Sequence, residues 1–133
     1  MVEVELSKII IDEERKEQVV VLKERKGKRF LPIIIGINEA IAIRMQLRGF
    51  TPPRPLTHDL MKSIITHLNV FLEKVVIDKL VDSTFHAKLH LRTGNMLKII
   101  DARPSDSIAL AVRTNSPIFV EEEVFERLNL GEI

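Results

Sequence analysis

The chain has 133 residues, with 20 Lys and Arg against 19 Asp and Glu and a formal net charge of +1, which suits one domain with a sizeable core and does not advertise a polyanion partner. It contains no Cys, so it has no disulfide, no thiolate metal ligand and no cysteine nucleophile, in keeping with a cytoplasmic setting. The opening MVEVELSKIII alternates and carries glutamates, so no signal peptide is expected. No apolar run approaches the ~20 residues of a membrane span.

In chain order, VEVELSKIII reads as a strand, DEERK as a charged turn, and EQVVVLKE as a second strand. RKGK is a hairpin connection with Gly27 at its tip. RFLPIIIG is a third strand, and Pro32, which has no N–H, places it at a sheet edge or on a bulge. Ile37, Ala40, Ile41 and Met45 recur at helical spacing, which predicts a helix over Ile37–Arg48 that stops at Gly49. FTPPRP is barred from helix, because each proline pushes its predecessor toward extended geometry. A second helix then runs from about His58 to Leu68. The pattern restarts with LEKVVIDKLVD, the strictly alternating FHAKLHLR and, after a tight turn at Thr93-Gly94-Asn95, MLKIIDAR. Ser105 to Arg113 is helical, PIFV is a short strand and EEVFERLN a terminal helix. Strands in runs followed by helices predict an α+β fold. The expectation is one compact domain over residues 1–133, in two pseudo-repeated halves of three strands and then helices.

Two segments share a vocabulary: FTPPRPLTHDL (Phe50–Leu60) and DARPSDSIALAV (Asp101–Val112). Each has Arg-Pro, then a hydroxyl residue, then an aspartate. Thr57 reads as an N-cap and Asp59 as a first-turn acid favoured by the helix dipole. Ser105 and Asp106 read the same way at the second helix. That leaves Arg54, His58, Asp101 and Arg103 without a capping role, although Arg103 and Asp106 can simply pair with each other. The apolar IALAV behind the second segment predicts a buried helix, and polar groups at the edge of a core are where clefts form. A helix N-terminus can also hold a phosphate oxygen. Glu39, Asp59, Asp101 and Asp106 are the acidic candidates for metal-assisted phosphodiester hydrolysis, with Mg²⁺ or Mn²⁺ as the ions that oxygen ligands suit. No chelating spacing appears, so no metal ligand is assigned. His86, Lys88, His90 and Arg92 form a basic stripe on one face of a strand, and KERKGKR a basic hairpin tip. Both are read first as solvated surface and second as polyanion surfaces.

The stretches LPIIIGINEA (Leu31–Ala40), PRPLTHDL (Pro53–Leu60), ARPSDSIALAVR (Ala102–Arg113) and PIFV (Pro117–Val120) resemble, in order and over nearly the whole chain, the bifunctional nuclease domain family. The resemblance implies a compact α+β domain, a cytosolic bacterial or archaeal setting, and cleavage of DNA or RNA. The matching positions are Glu39, Arg54, Thr57, His58, Asp59, Arg103, Ser105 and Asp106. Ser107 stands where the family more often has alanine. On this reading the cleft lies between the two Arg-Pro elbows. Arg54 and Arg103 would hold phosphate oxygens and His58 would act as general base or acid. Asp59, Asp101 and Asp106 would orient His58 or bind a cation, with Glu39 as a further candidate. The rival is a non-catalytic oligomeric binding or regulatory module. Under either reading the high aliphatic content favours a homo-oligomer, with a dimer as first expectation.

Overall fold

A computed structural model describes residues 1–12 and 14–131; Glu13, inside the charged turn read at DEERK, lies outside the described residues. The elements are β1 (Val2–Asp12), β2 (Glu17–Glu24), β3 (Phe30–Ile35), α1 (Ile37–Leu47), α2 (Thr57–His67), β4 (Phe71–Val81), β5 (Thr84–Thr93), β6 (Met96–Ala102), α3 (Pro104–Thr114), β7 (Ile118–Val120) and α4 (Glu122–Asn129). Among the described residues, the seven strands form a sheet, α1, α3 and α4 pack on it, and α2 packs on α3. The fold is α+β, as expected.

The strands form one sheet in the order β3-β2-β1-β7-β4-β5-β6. The two meanders, β1-β2-β3 and β4-β5-β6, therefore run outward from β7, which is antiparallel to β1 and parallel to β4. The halves differ in their helical parts. Two helices come after the first meander; a helix, a strand and a helix come after the second. Pro32 lies on edge strand β3, exposed and opposite Val21, where its missing N–H leaves no ladder bond unmade. The sheet curls: Pro32 to Gly36, at one end, line the same cleft as Ser83 to Phe85 and Arg103 to Ser105 from the other half.

The expected alternation in β5 holds. Ala87, Leu89 and Leu91 are buried in the core, and His86, Lys88, His90 and Arg92 are half-buried on the opposite face. One cluster joins both meanders through Val20, Leu22, Leu31, Val75, Ile77 and Leu110. The helix predicted to be buried is buried: eight of the eleven residues of α3 are. It packs against α1, α2, β4 and β5, and Ala109 and Ala111, almost fully buried, let its neighbours approach closely.

The helix starts differ from those expected. Thr57 is the first residue of α2, and Leu56 is its N-cap, without a side-chain cap bond. The capping is done in reverse by Asp59, whose Oδ2 accepts the Leu56 N–H at 2.9 Å. Ser105 is no cap either. Arg103 holds the N-cap position of α3, Pro104 begins the helix, and Ser105 is buried inside it. Proline at the first helical position needs no partner for the N–H it lacks, so the helix starts two residues earlier than a Ser105 cap implies.

Candidate functional site

The start of α2 is tied to the last turn of α3 and to α1 by a residue the sequence reading did not single out. Arg113, on α3, is 4% exposed. Its Nε donates to Asp59 Oδ1 at 2.7 Å, one terminal nitrogen to the Ala42 carbonyl on α1 at 3.0 Å, and the other to the Ala109 carbonyl at 2.9 Å. One guanidinium thus ties three helices, and its planar fork suits such directional contacts. The only signal in the sequence was a lone arginine closing the apolar run IALAV. Asp59 has both oxygens engaged, by Arg113 and by the Leu56 N–H. Burial pushes the Asp59 carboxyl up, but these bonds together outweigh it and hold the group below its ordinary value. Its place is structural: it fixes the first turn of α2.

That turn presents His58, which is 7% exposed. Its Nε2 lies 2.9 Å from Asp106 Oδ1 in the first turn of α3. The other oxygen of Asp106 accepts from Arg103 Nε at 2.9 Å, and a terminal nitrogen of Arg103 lies 3.0 Å from Glu39 Oε1 in the first turn of α1. Glu39, Arg103, Asp106 and His58 form one continuous chain of polar contacts. Burial raises Asp106, yet the bonds from Arg103 and His58 outweigh that and leave it ionised below the usual carboxylate range. Arg103 is correspondingly held above its usual value, chiefly by its bond to Asp106. These four residues line a cleft of about 410 Å³ whose other wall is Ile41, Ala42, Met45 and Leu56. The arrangement supplies a histidine oriented by a carboxylate, beside a guanidinium whose side chain is 67% exposed.

Arg54 and Asp101 stand apart from this cleft. Arg54 is exposed and lines neither it nor the neighbouring one. Asp101 is exposed and takes the Lys88 ammonium at 3.0 Å on the far side of β5. The basic stripe on β5 is neutralised in place: Lys88 also reaches Asp78 at 3.4 Å, and Arg92 pairs with Glu73 at 3.1 Å. At the basic hairpin, Arg25 faces Glu3 and Glu5, and Arg29 faces Glu24 and Glu122. Among the described residues, no three His, Asp or Glu side chains are grouped to hold one metal ion. Glu39 and Asp106 are engaged by Arg103 instead. As arranged, the residues do not fit a resident Mg²⁺ or Mn²⁺, and the chemistry they supply is that of base, carboxylate and guanidinium.

The family model of the bifunctional nuclease domain matches residues 20–131. An uncharacterized protein of Mycobacterium tuberculosis is 42% identical over 130 residues, covering 98% of this chain and 77% of its own length. Bifunctional nuclease 1 of Oryza sativa subsp. indica is 30% identical over 109 residues, covering 79% of this chain. Bifunctional nuclease 1 of Arabidopsis thaliana is 29% identical over 107 residues, covering 77% of it. The aligned part makes up 33% of each of these two plant proteins.

Proposed function

The chain belongs to the bifunctional nuclease domain family, and from that membership and the cleft geometry we propose that it hydrolyses phosphodiester bonds in DNA or RNA. The observation that carries the reading is the contact of His58 Nε2 with Asp106 Oδ1 at 2.9 Å, with Arg103 on the second oxygen of the same carboxylate. With Nε2–H donating to Asp106, Nδ1 carries the lone pair. His58 then takes a proton from a water molecule as that water attacks phosphorus. The ionised Asp106 holds the ring orientation and stabilises the imidazolium that forms. Arg103 offers its remaining N–H groups to the phosphate oxygens as charge develops. The proton on His58 then passes to the departing oxygen, which leaves as an alcohol and restores the base. The apolar wall of Ile41, Met45 and Leu56 gives sugar or base a surface to rest on and sheds water from the attack site.

The rival reading, a non-catalytic binding or regulatory module, is favoured by one observation: each carboxylate of the site already has a cationic or amide partner. Both readings are compatible with a homo-oligomer. Leu60, Ile64 and Leu68 follow one another at four-residue spacing along α2, each about half exposed or more, and such a stripe supports self-association. No helix among the described residues is long and apolar enough to cross a membrane, and a cytoplasmic setting is part of the proposal. The test is cleavage of a single-stranded oligonucleotide by highly purified protein, with and without Mg²⁺ or Mn²⁺. Loss of cleavage in both His58→Ala and Asp106→Asn supports the reading. Equal cleavage by all three proteins, or none by any, transfers the chain to the binding-module reading.

A further inference from the structure

The N-terminus of α3 opens onto a second cleft that the His58 chemistry does not use. This cleft, of about 320 Å³, is lined by Gly36 just after β3, Thr84 at the start of β5, and Arg103, Pro104 and Ser105. Ser105 is 6% exposed, and among the described residues its hydroxyl has no hydrogen-bond partner. It is nevertheless not sealed: Asp78 Oδ1 is the one side-chain polar atom among the described residues that is both closed off and unpaired. The Ser105 hydroxyl therefore opens onto the cleft its residue lines. Burying a hydroxyl without a partner is costly, so such a group calls for a ligand.

The surroundings say which kind. The eleven-residue α3 has no side-chain cap, and its first backbone bond runs from the Ser107 N–H to the Arg103 carbonyl. The N–H groups of Ser105 and Asp106 are thus left without intrahelical partners, at the positive end of the helix dipole. The N-cap residue that would ordinarily accept them, Arg103, has no acceptor on its side chain, and the Asp106 carboxylate is turned to His58 and Arg103. Two carboxylates oppose an anion here: Asp106, which holds Arg103 through its Nε, and Glu39. The Glu39 carboxylate packs beside Gly36, 2.8 Å from where a Cβ would stand, and holds part of Arg103.

We propose that this cleft is a phosphate subsite, in which the Ser105 hydroxyl, the Ser105 and Asp106 N–H groups and Arg103 hold one phosphate group in competition with the Glu39 and Asp106 carboxylates. The phosphate is either free inorganic phosphate or a phosphate of a polynucleotide. In the second case, which rests on the phosphodiesterase reading, Arg103 lines both clefts. A chain being cut beside His58 would then seat a neighbouring phosphate at Ser105.

Titration of the ¹⁵N-labelled protein with inorganic phosphate, followed by amide shifts, tests the subsite without any cleavage. The expected result is saturable shifts at Ser105, Asp106 and Gly36. Binding should be about fivefold weaker in Ser105→Ala, the worth of one hydrogen bond, and tighter in Glu39→Gln; a urea melt checks that each variant is folded. No saturable shift, shifts confined to the Lys26–Lys28 hairpin, or unchanged binding in Ser105→Ala overturns the proposal. A dinucleotide with and without a terminal phosphate distinguishes the sources. Tighter binding of the phosphorylated form assigns the subsite to a polynucleotide; binding of inorganic phosphate alone assigns it to free phosphate. Phosphate binding without any cleavage would remove only the phosphodiesterase reading, and cleavage without phosphate binding would remove only the subsite.

Discussion

At Thr57 and Asp59, two residues apart, a hydroxyl that looks like a cap does little and a carboxylate that looks catalytic holds the helix. Asp59 satisfies the Leu56 N–H and the buried Arg113 together. Asp59→Ala should therefore cost about 3 kcal/mol, because it strands a buried cation, whereas Thr57→Ala should change stability by less than about 0.5 kcal/mol. Urea midpoints of the two variants check this; a larger loss in Thr57→Ala would restore it as the cap. Asp59 and Asp106 are both held below their ordinary values in the folded protein. Their stabilisation is fully present above the unfolded carboxylate value of roughly 3.9, and it is lost as pH falls through the lower folded values. Urea midpoints should hold steady down to about pH 5 and fall below about pH 4, with a shallower fall in Asp59→Asn. An equal fall in that variant would show that Asp59 contributes nothing to acid sensitivity.

The strands were legible as elements because each carries its own signal. Phe85 to Arg92 alternates without a break, and Pro32 marked β3 as an edge strand. Helix starts were less legible. The capping bond at α2 is donated by a leucine N–H to an acid inside the helix, and hydroxyl residues do not signal that. The junction of β3 with α1 links element to site. Gly36, the N-cap of α1, has φ −75°, so alanine there is unstrained. Its Cβ would nonetheless stand 2.8 Å from Glu39 Oε2 and push that flexible side chain off Arg103. Gly36→Ala should cost less than about 1 kcal/mol and tighten phosphate binding, as Glu39→Gln does. Unchanged phosphate affinity in a folded Gly36→Ala would show that Glu39 does not restrain Arg103.

Across the whole molecule, part of the near-neutral charge is balanced locally. Of the cations that looked like a polyanion surface, the arginines and Lys88 are paired: Lys88 with Asp78 and Asp101, Arg92 with Glu73, Arg29 with Glu24 and Glu122, and Arg25 with Glu3 and Glu5. Binding confined to the two clefts makes few phosphate contacts, so log affinity for a single-stranded oligonucleotide should then fall with log salt at a slope of only about −1 to −2. Lys88→Ala should not change it. Anisotropy titrations at several salt concentrations measure the slope, and a much steeper fall would mean that the hairpin or the β5 face binds the chain. Which residues converge was the least legible property of the sequence. His58 and Asp106 are 48 positions apart, and Arg113, on the same helix as Asp106, has its partners on three helices. Arg54, which shares an elbow with His58 in sequence, lies outside both clefts. The central claim is that His58, oriented by Asp106, is a working base beside Arg103. Its most direct test is the rate of oligonucleotide cleavage by purified wild type, His58→Ala and Asp106→Asn in parallel. The account predicts cleavage by wild type and a loss of about a hundredfold or more in each folded variant; cleavage at the same rate by all three, or by none, contradicts it.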